Sequence, residues 1–214
     1  MAARLQAGDA LILVDVQLDF LPGGSLAVSH GDEVVPALNR YIAVFRRLTL
    51  PVVATRDWHP PDHCSFQAQG GPWPPHCVAG SEGARFAPLL DLPCEGHIVS
   101  KATTRDRDAY SGFEGTDLDE WLKRAGVSRV FVGGLATDYC VLNTVRDALR
   151  IGYATFLLAD AVRAVDAQAG DGERAIADRP DRLEPPAELI QDRPGARRIL
   201  RLRPHEAEQL ALPR

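Results

Sequence analysis

ALILVDV, residues 10–16, is a continuous apolar run that one acid, Asp15, interrupts near its end. A strand with one exposed face alternates apolar and polar residues, whereas a strand covered on both faces reads as an unbroken apolar run. The run therefore predicts a strand in the interior of a sheet that carries helices on both sides. Asp15 marks the carboxyl end of this strand.

Outward from this strand, the chain alternates between helix-like and strand-like segments. Val34, Leu38, Tyr41 and Phe45 recur at helical spacing behind Asp32, a candidate N-cap. Strands that alternate with helices form a parallel sheet covered on both faces, so the sequence predicts an α/β three-layer sandwich with a mainly parallel sheet. Further strands are predicted at 50–55, 98–101, 129–133 and 154–159, and further helices at 116–126, 138–150 and 168–178.

The composition limits the class of protein. The chain has 214 residues, 45% of them hydrophobic and 25% charged, which suits one globular domain with a substantial core. A net charge of -5 without a basic stripe argues against nucleic acid as a partner. The apolar runs are too short to cross a bilayer and no signal peptide is recognisable, so we expect no membrane partner. The four cysteines form no CxxC pair, which favours free thiols and a cytoplasmic location.

Two loop-like stretches, DWHPPDH at 57–63 and WPPH at 73–76, gather acid and imidazole side chains. Asp57 and His59 are two residues apart, so they project from the same side of an extended segment. The glycines and prolines between the two stretches favour turns that return His76 to them. Two imidazoles and a carboxylate are a common ligand set for one divalent metal ion such as zinc, iron or manganese.

The more ordinary interpretation of this cluster is a loop with hydrogen-bonded histidines. A single histidine would favour that interpretation, whereas three ligand groups in a turn-rich loop favour a metal. The role of His63 is undecided by the sequence. It can be an additional ligand, a hydrogen-bonded neighbour of the ligands or a solvent-exposed side chain.

Three further residues, Asp15, Lys101 and Cys140, carry reactive side chains. Asp15 and Lys101 lie at the ends of predicted strands, and Cys140 follows the turn after another strand. In parallel sheets ligands bind outside the carboxyl ends of the strands, where Asp15, Asp57, Lys101 and the turn at 133–136 are predicted to meet. Cys140 follows this glycine-rich turn in the first turn of a helix, where the helix dipole favours a thiolate and backbone amides can receive an oxyanion.

Each of these residues has a more ordinary alternative. Cys140 alone is more often a buried structural cysteine, Asp15 a turn or cap acid, and Lys101 a solvated surface lysine. Together they are coherent as chemistry, because the acid can take the thiol proton and the lysine can hold the acid ionised. Phe20, Trp73 and Tyr110 lie near these motifs and can form an aromatic slot for a flat substrate, or can simply anchor loops.

Several of these segments, in this order, resemble the nicotinamidases, which belong to the isochorismatase-like cysteine hydrolases. The resemblance runs from about residue 9 to about residue 178 and covers most of the chain. The segments that carry it are VDVQLDF at 14–20 with GGSLAV at 23–28, TRDWHPPDH at 55–63, WPPHC at 73–77, Lys101 with DAYSGF at 108–113, and GGLATDYCV at 133–141.

The resemblance implies an isochorismatase-like hydrolase fold and deamidation of nicotinamide, with pyrazinamide as a further candidate substrate. It implies a role for each group of residues: Asp15, Lys101 and Cys140 as the catalytic triad; Asp57, His59 and His76 as metal ligands; the amides of Ala136 and Cys140 as the oxyanion hole; Phe20, Leu26, Trp73 and Tyr110 around the substrate ring. The peptide before Ala136 is typically cis in the family.

Two alternatives of different class remain. One is another amidase or isochorismatase-type hydrolase on the same scaffold, although such relatives generally lack the metal loop. The other is a non-catalytic metal-binding protein, against which the intact triad argues. Whether the protein forms a homo-oligomer is left open.

The C-terminal part departs from the family. Residues 1–178 are predicted to form the hydrolase domain, and residues 179–214 an atypical segment that is rich in proline and mixed in charge. RRILRLR at 197–203 can add one more strand at the edge of the sheet, and the remainder of the segment can be partly disordered.

Overall fold

The protein is described by a computed structural model of residues 5–177 and of a two-residue strand at 200–201. The strands are β1 (Asp9–Val14), β2 (Val52–Asp57), β3 (His97–Lys101), β4 (Arg129–Leu135), β5 (Ala154–Arg163) and β6 (Leu200–Arg201). The helices are α1 (Val34–Arg47), α2 (Leu118–Arg124), α3 (Leu142–Ile151) and α4 (Asp171–Ala177).

The six strands form one sheet in the order β3-β2-β1-β4-β5-β6, and every pair of neighbours runs parallel. The chain moves outward from β1 to β3 and then returns to the other side of β1 with β4. β1 therefore lies where the strand order reverses, and the carboxyl end of the strand at such a position is where parallel sheets bind ligands. A Cβ atom on Gly134 would lie 2.1 Å from the carbonyl oxygen of Val14, so only glycine lets β4 run this close to β1.

The two faces of the sheet carry separate apolar clusters, because successive strand residues point to opposite faces. On one face α1 packs through Leu38 and Phe45 onto Leu11 and Leu13 of β1. The other face contains Ile12 of β1 together with residues of α2 and α3. Because β1 is buried along its whole length, it reads as an uninterrupted apolar run. The predicted three-layer α/β sandwich with a mainly parallel sheet is confirmed.

Two local predictions were wrong. Asp32 does not cap α1, because a 3-10 turn (Gly31–Glu33) leads directly into the helix and its backbone carbonyls accept the N–H of Val34. The helix predicted from residue 138 begins instead as a π-helical turn, Thr137–Val141, before α3. This turn carries Cys140, so the nucleophile candidate does not lie in the first turn of an α-helix.

The C-terminal prediction lies mostly outside the described residues. Of the segment 179–214 only β6 is described, and it pairs with β5 at Phe156 and Leu157. Leu200 and Arg201 of β6 fall within the stretch 197–203 that was predicted as an edge strand.

Candidate active site and metal centre

Four predicted site residues lie together at the carboxyl edge of the sheet. Asp15 follows β1, Asp57 ends β2 and Lys101 ends β3, and Asp57 and Lys101 are direct partners in the β2–β3 register. Cys140 follows β4 in the π-helical turn. Ligand atoms of Asp15, Asp57 and Cys140 lie within 4.8 Å of one another. The parallel topology therefore brings together side chains that are far apart in sequence.

Asp15 is fully buried and adopts a positive φ of 48°, which turns the chain away from the sheet. Its Oδ1 accepts a hydrogen bond of 2.6 Å from the hydroxyl of Thr55. Its Oδ2 lies 3.0 Å from Lys101 Nζ but outside hydrogen-bond geometry. Within residues 5–177, this oxygen is the only buried side-chain nitrogen or oxygen without a hydrogen-bond partner. Burial raises the pKa of the Asp15 carboxyl, although the Lys101 charge opposes the shift.

Lys101 is a buried cation at the centre of the cluster. Its ammonium group donates to the Asp57 carboxylate at very short range and to the carbonyl oxygen of Ala109 at 3.0 Å. Its Nζ also lies 3.5 Å from Cys140 Sγ. Burial by itself lowers the pKa of Lys101, but the carboxylates of Asp15 and Asp57 raise it, and the pKa stands well above its usual value. Lys101 is therefore a fixed positive charge and not a proton donor at neutral pH.

The thiol of Cys140 is buried beside these groups. Burial raises its pKa well above the usual value, and the Lys101 charge only partly opposes that rise. The helix-terminus argument favours a thiolate, whereas burial favours the neutral thiol. The sulfur lies within 4.8 Å of a carboxylate oxygen of Asp15, which can take the thiol proton.

Asp57, His59 and His76 form the cluster predicted to hold a metal, and their ligand atoms lie within 4.8 Å of one another. His59 Nδ1 lies 3.0 Å from the carbonyl oxygen of His76, and His76 Nδ1 lies 2.8 Å from that of Pro74. These carbonyls hold a proton on Nδ1, which leaves both Nε2 lone pairs free for a metal ion. Burial lowers the pKa of His59 to about 3, so its imidazole is neutral, as a ligand must be. The set fits a divalent metal ion.

His63 is not one of these three. Its Nδ1 is bonded to the Ser65 hydroxyl at 2.8 Å, and its Nε2 lies 3.1 Å from the carbonyl oxygen of Arg107. Its ring packs against His59 with centroids 4.3 Å apart. Ring atoms of His59 and His63 also lie near the Asp108 carboxylate, but both ring nitrogens of His63 have hydrogen-bond partners within the protein. In this arrangement the ring of His63 packs against His59 and helps to fix the orientation of its imidazole.

Two of the predicted substrate residues form an aromatic wall with a third that the sequence did not single out. Trp73 Nε1 donates to the hydroxyl of Tyr110 at 3.0 Å. The ring of Tyr139 lies 5.2 Å from that of Trp73 and 5.7 Å from that of Tyr110. Tyr139 immediately precedes Cys140, and this adjacency is the signal that could have identified it.

The other two predicted substrate residues lie in the loop after β1. Phe20 is buried, with its ring 5.6 Å from that of His76. Leu26 is half-buried, and its amide donates to the carbonyl oxygen of Asp19 at 3.0 Å. Phe20 therefore adjoins the metal ligands, whereas the contacts of Leu26 place it with the loop.

The turn that carries Cys140 has the cis peptide that the resemblance implies. The Leu135–Ala136 peptide is cis. The carbonyl oxygen of Ala136 accepts the amides of Tyr139 and Val141 at 3.1 Å each. Asp138 fixes the turn from outside, because its carboxylate accepts the amides of Val165 and Asp166 in the loop after β5.

Within the described residues, no helix is long and apolar enough to cross a membrane.

Comparison with known proteins agrees with this geometry. The model of the isochorismatase domain matches residues 9–178. The nicotinamidase/pyrazinamidase of Mycobacterium tuberculosis is 45% identical over 166 residues, which cover 74% of this chain and 88% of that protein.

Two solved structures extend the comparison. The pyrazinamidase of Pyrococcus horikoshii in complex with zinc superposes with a TM-score of 0.77 at 50% identity, covering 80% of this chain and 93% of that one. A protein from L. infantum in complex with nicotinate gives a TM-score of 0.77 at 38% identity, covering 83% and 91%. The chain belongs to the isochorismatase-domain family.

Proposed function

We propose that this protein is a metal-containing amidohydrolase that converts nicotinamide to nicotinate and ammonia through a thioester on Cys140. Pyrazinamide, which has the same carboxamide on a flat nitrogen heterocycle, is the further substrate. The relatives named nicotinamidase or pyrazinamidase support this assignment.

One observation carries the proposal: the nucleophile, its acid and the candidate metal ligands are joined through shared contacts. Lys101 contacts Asp15, Asp57 and Cys140. Asp57 also belongs to the cluster with His59 and His76. A purely structural ion pair does not need an adjacent thiol, a carboxylate oxygen without a hydrogen bond and neutral imidazoles.

Acylation begins with transfer of the Cys140 thiol proton to the Asp15 carboxylate. Sγ attacks the carboxamide carbon, and the carbonyl π electrons move to oxygen, where the amides of Ala136 and Cys140 stabilise the negative charge. As the tetrahedral intermediate collapses, the C–N bond breaks and Asp15 gives its proton to the leaving nitrogen. Ammonia departs and a thioester remains.

Deacylation repeats the sequence with water as the nucleophile. Asp15, again ionised, takes a proton from water while the oxygen attacks the thioester carbon. The C–S bond breaks, the Cys140 sulfur recovers the proton held on Asp15, and the product leaves as nicotinic acid, which loses its own proton to solvent and becomes nicotinate. Lys101 keeps its own proton throughout and lowers the cost of the negative charge on Asp15 and on the sulfur.

Asp57, His59 and His76 would hold the metal, for which zinc, iron and manganese are the candidates. When bound, the ion supplies a Lewis-acid position for the ring nitrogen of the substrate. Phe20, Trp73, Tyr110 and Tyr139 enclose the ring between aromatic faces.

The test is an ammonia-release assay on nicotinamide and pyrazinamide with the purified full-length chain, together with elemental analysis. We expect release from both substrates and about one divalent ion per chain. Hydrolysis of aliphatic or ureido amides in preference to nicotinamide would favour another amidase. Metal without any amide hydrolysis would favour a non-catalytic metal-binding protein.

We also propose that the protein acts in the cytoplasm, because all four cysteines carry free thiols. Cell fractionation tests the location, and sedimentation of the purified chain decides between a monomer and a homo-oligomer.

A further inference from the structure

Gln17 is a fully buried glutamine in the loop after β1, and its side chain is bonded at both ends. Its Oε1 accepts the backbone N–H of Asp57 at 2.8 Å. Its Nε2 donates to the carbonyl oxygen of Asp57 at 2.8 Å and to that of Ala84 at 3.0 Å. Both Nε2 protons are therefore used, and a flipped amide would place Oε1 against two carbonyl oxygens. The side chain has one satisfactory orientation.

The hydrogen bonds from Gln17 take the place of backbone hydrogen bonds that Asp57 would make to β1 if that strand continued further. The amide of Asp15 still donates to the carbonyl oxygen of Thr55 at 3.2 Å, but Asp15 then turns the chain away with its positive φ. In a strand, the N–H and C=O groups of residues two apart point to the same side, so the backbone groups of Asp57 face the space that β1 has left. The carboxamide of Gln17 fills this space and pairs with both groups, as a backbone peptide of a longer β1 would.

The pairing fixes a residue that has two roles. The carboxylate of Asp57 contacts Lys101, and its Oδ1 lies 3.9 Å from His59 Nε2. On the other side of β2, the amide of Trp58 donates to the carbonyl oxygen of Lys101 at 3.1 Å. With Gln17 on one side and β3 on the other, the backbone at Asp57 is held from both directions. The carboxylate can then face the lysine and the metal position together.

We propose that Gln17 is a positioning residue that holds Asp57 so that its carboxylate serves Lys101 and the metal at once. Gln17 itself contacts neither the substrate nor the metal. The inference rests on the proposed function only in taking Asp57 as a metal ligand.

The test compares zinc affinity in three variants of the full-length chain, measured by competition with a chromophoric chelator. Gln17→Met keeps the side-chain volume and removes every hydrogen bond, and Gln17→Glu keeps an acceptor but cannot donate to the two carbonyls. Val130→Ala is the matched control, because Val130 is equally buried but lies near the opposite end of the sheet. We expect both Gln17 variants to bind zinc about 10- to 100-fold more weakly than wild type, as found when a group that orients a ligand is removed. The control should bind zinc as wild type does.

A second readout separates positioning from general damage to the fold. Added zinc should restore much of the lost turnover in Gln17→Met, whereas it should not change turnover in Val130→Ala. Wild-type zinc affinity in a folded Gln17→Met would overturn the proposal, as would an equal loss of affinity in the control. If Gln17→Met does not fold, Gln17→Asn, which keeps both polar atoms but is one methylene shorter, provides the same comparison.

The outcome is distinguishable from a failure of the proposed function. Zinc binding that depends on Gln17 in a protein without activity on nicotinamide would support the positioning role and reject the substrate. A wild-type chain that hydrolyses nicotinamide but binds none of zinc, iron and manganese would reject the positioning role and keep the reaction.

Discussion

Two fully buried aspartates stand at the two ends of β1, and their surroundings are opposite. Asp9, at the amino end, accepts two hydrogen bonds from the guanidinium group of Arg129, at 2.5 and 2.6 Å, and a third from the amide of Gln6 at 2.8 Å. Each oxygen has a partner, and the pair is a structural tie between β1 and β4. Asp15, at the carboxyl end, has one oxygen bonded to Thr55 and the other without a hydrogen bond.

The difference separates a structural acid from a reactive one. A buried carboxylate whose two oxygens both accept hydrogen bonds from a guanidinium group leaves neither oxygen free for the proton of a neighbouring thiol. Asp15 keeps that capacity beside a thiol, and its pKa is raised by burial. Residue type and burial are the same at both ends, so only the partners distinguish the two roles.

The largest effect is expected from removing the Cys140 thiol, whose proton Asp15 is proposed to accept. Cys140→Ala should lower kcat by about 10⁴-fold or more, because the covalent route is lost. Circular dichroism and metal content should stay unchanged. Cys94→Ala, which removes an exposed thiol, is the matched control and should retain full activity. Substantial ammonia release by Cys140→Ala would remove this residue from the mechanism.

The two aspartates can be exchanged for asparagine one at a time. Asp15→Asn should lower kcat/KM by about 10²- to 10⁴-fold, since asparagine cannot take the thiol proton. Its thermal stability should fall less than that of Asp9→Asn, because Lys101 keeps the Asp57 carboxylate as a partner and because a raised folded-state pKa means that ionised Asp15 itself costs stability as pH rises above 3.8.

Asp9→Asn should affect mainly stability and not activity. It should cost about 3 kcal/mol of unfolding free energy, because a mostly buried guanidinium loses its carboxylate, while kcat of the folded enzyme stays close to wild type. Denaturant melts and steady-state kinetics on both variants measure the comparison. Equal effects of the two substitutions on both quantities would contradict the distinction between the two ends.

Removing the metal tests the proposed ligands Asp57, His59 and His76, which lie beside Asp15 at the carboxyl end of the sheet. In chelated protein, KM for nicotinamide should rise by at least about tenfold, since a binding position for the ring nitrogen is lost. The rate of Cys140 alkylation by iodoacetamide should change little. Benzamide, which lacks the ring nitrogen, should be a poor substrate before and after chelation. Unaltered binding and hydrolysis of nicotinamide by the metal-free protein would show that the ligands are wrongly assigned.

The smallest effect is expected at Thr55, which donates to Asp15 Oδ1. This bond favours the ionised carboxylate and lowers the pKa of Asp15, so Thr55→Val should raise that pKa further. The acidic limb of the kcat/KM profile should then move to higher pH by a few tenths of a unit or more, because Asp15 must be ionised to accept the proton. Thr155→Val is the control, since Thr155 is equally buried but bonds to the carbonyl oxygen of Tyr153. A shift of the same size in the control would point to a general effect on the fold.

Much of the site could be predicted because its residues follow strands that the apolar pattern reveals. The ends of β1, β2 and β3 place Asp15, Asp57 and Lys101 at one edge once the sheet is known to be parallel. The histidine cluster was predictable from ligand types and turn residues. Gln17 and Thr55 were not, because a polar residue that bonds to a distant backbone or carboxylate leaves no periodic signal.

The sequence by itself determined the three-layer fold, since a run of apolar residues such as 10–14 can be satisfied only when both faces of the strand are covered. The tertiary structure alone decided that His63 Nε2 faces a carbonyl oxygen, that burial raises the pKa of Cys140 and that Gln17 completes the pairing of Asp57. Gln17 and Asp57 are 40 residues apart in sequence. Burial follows from local periodicity, but hydrogen-bond partners and the electrostatic surroundings that set a pKa come from segments that only folding brings together.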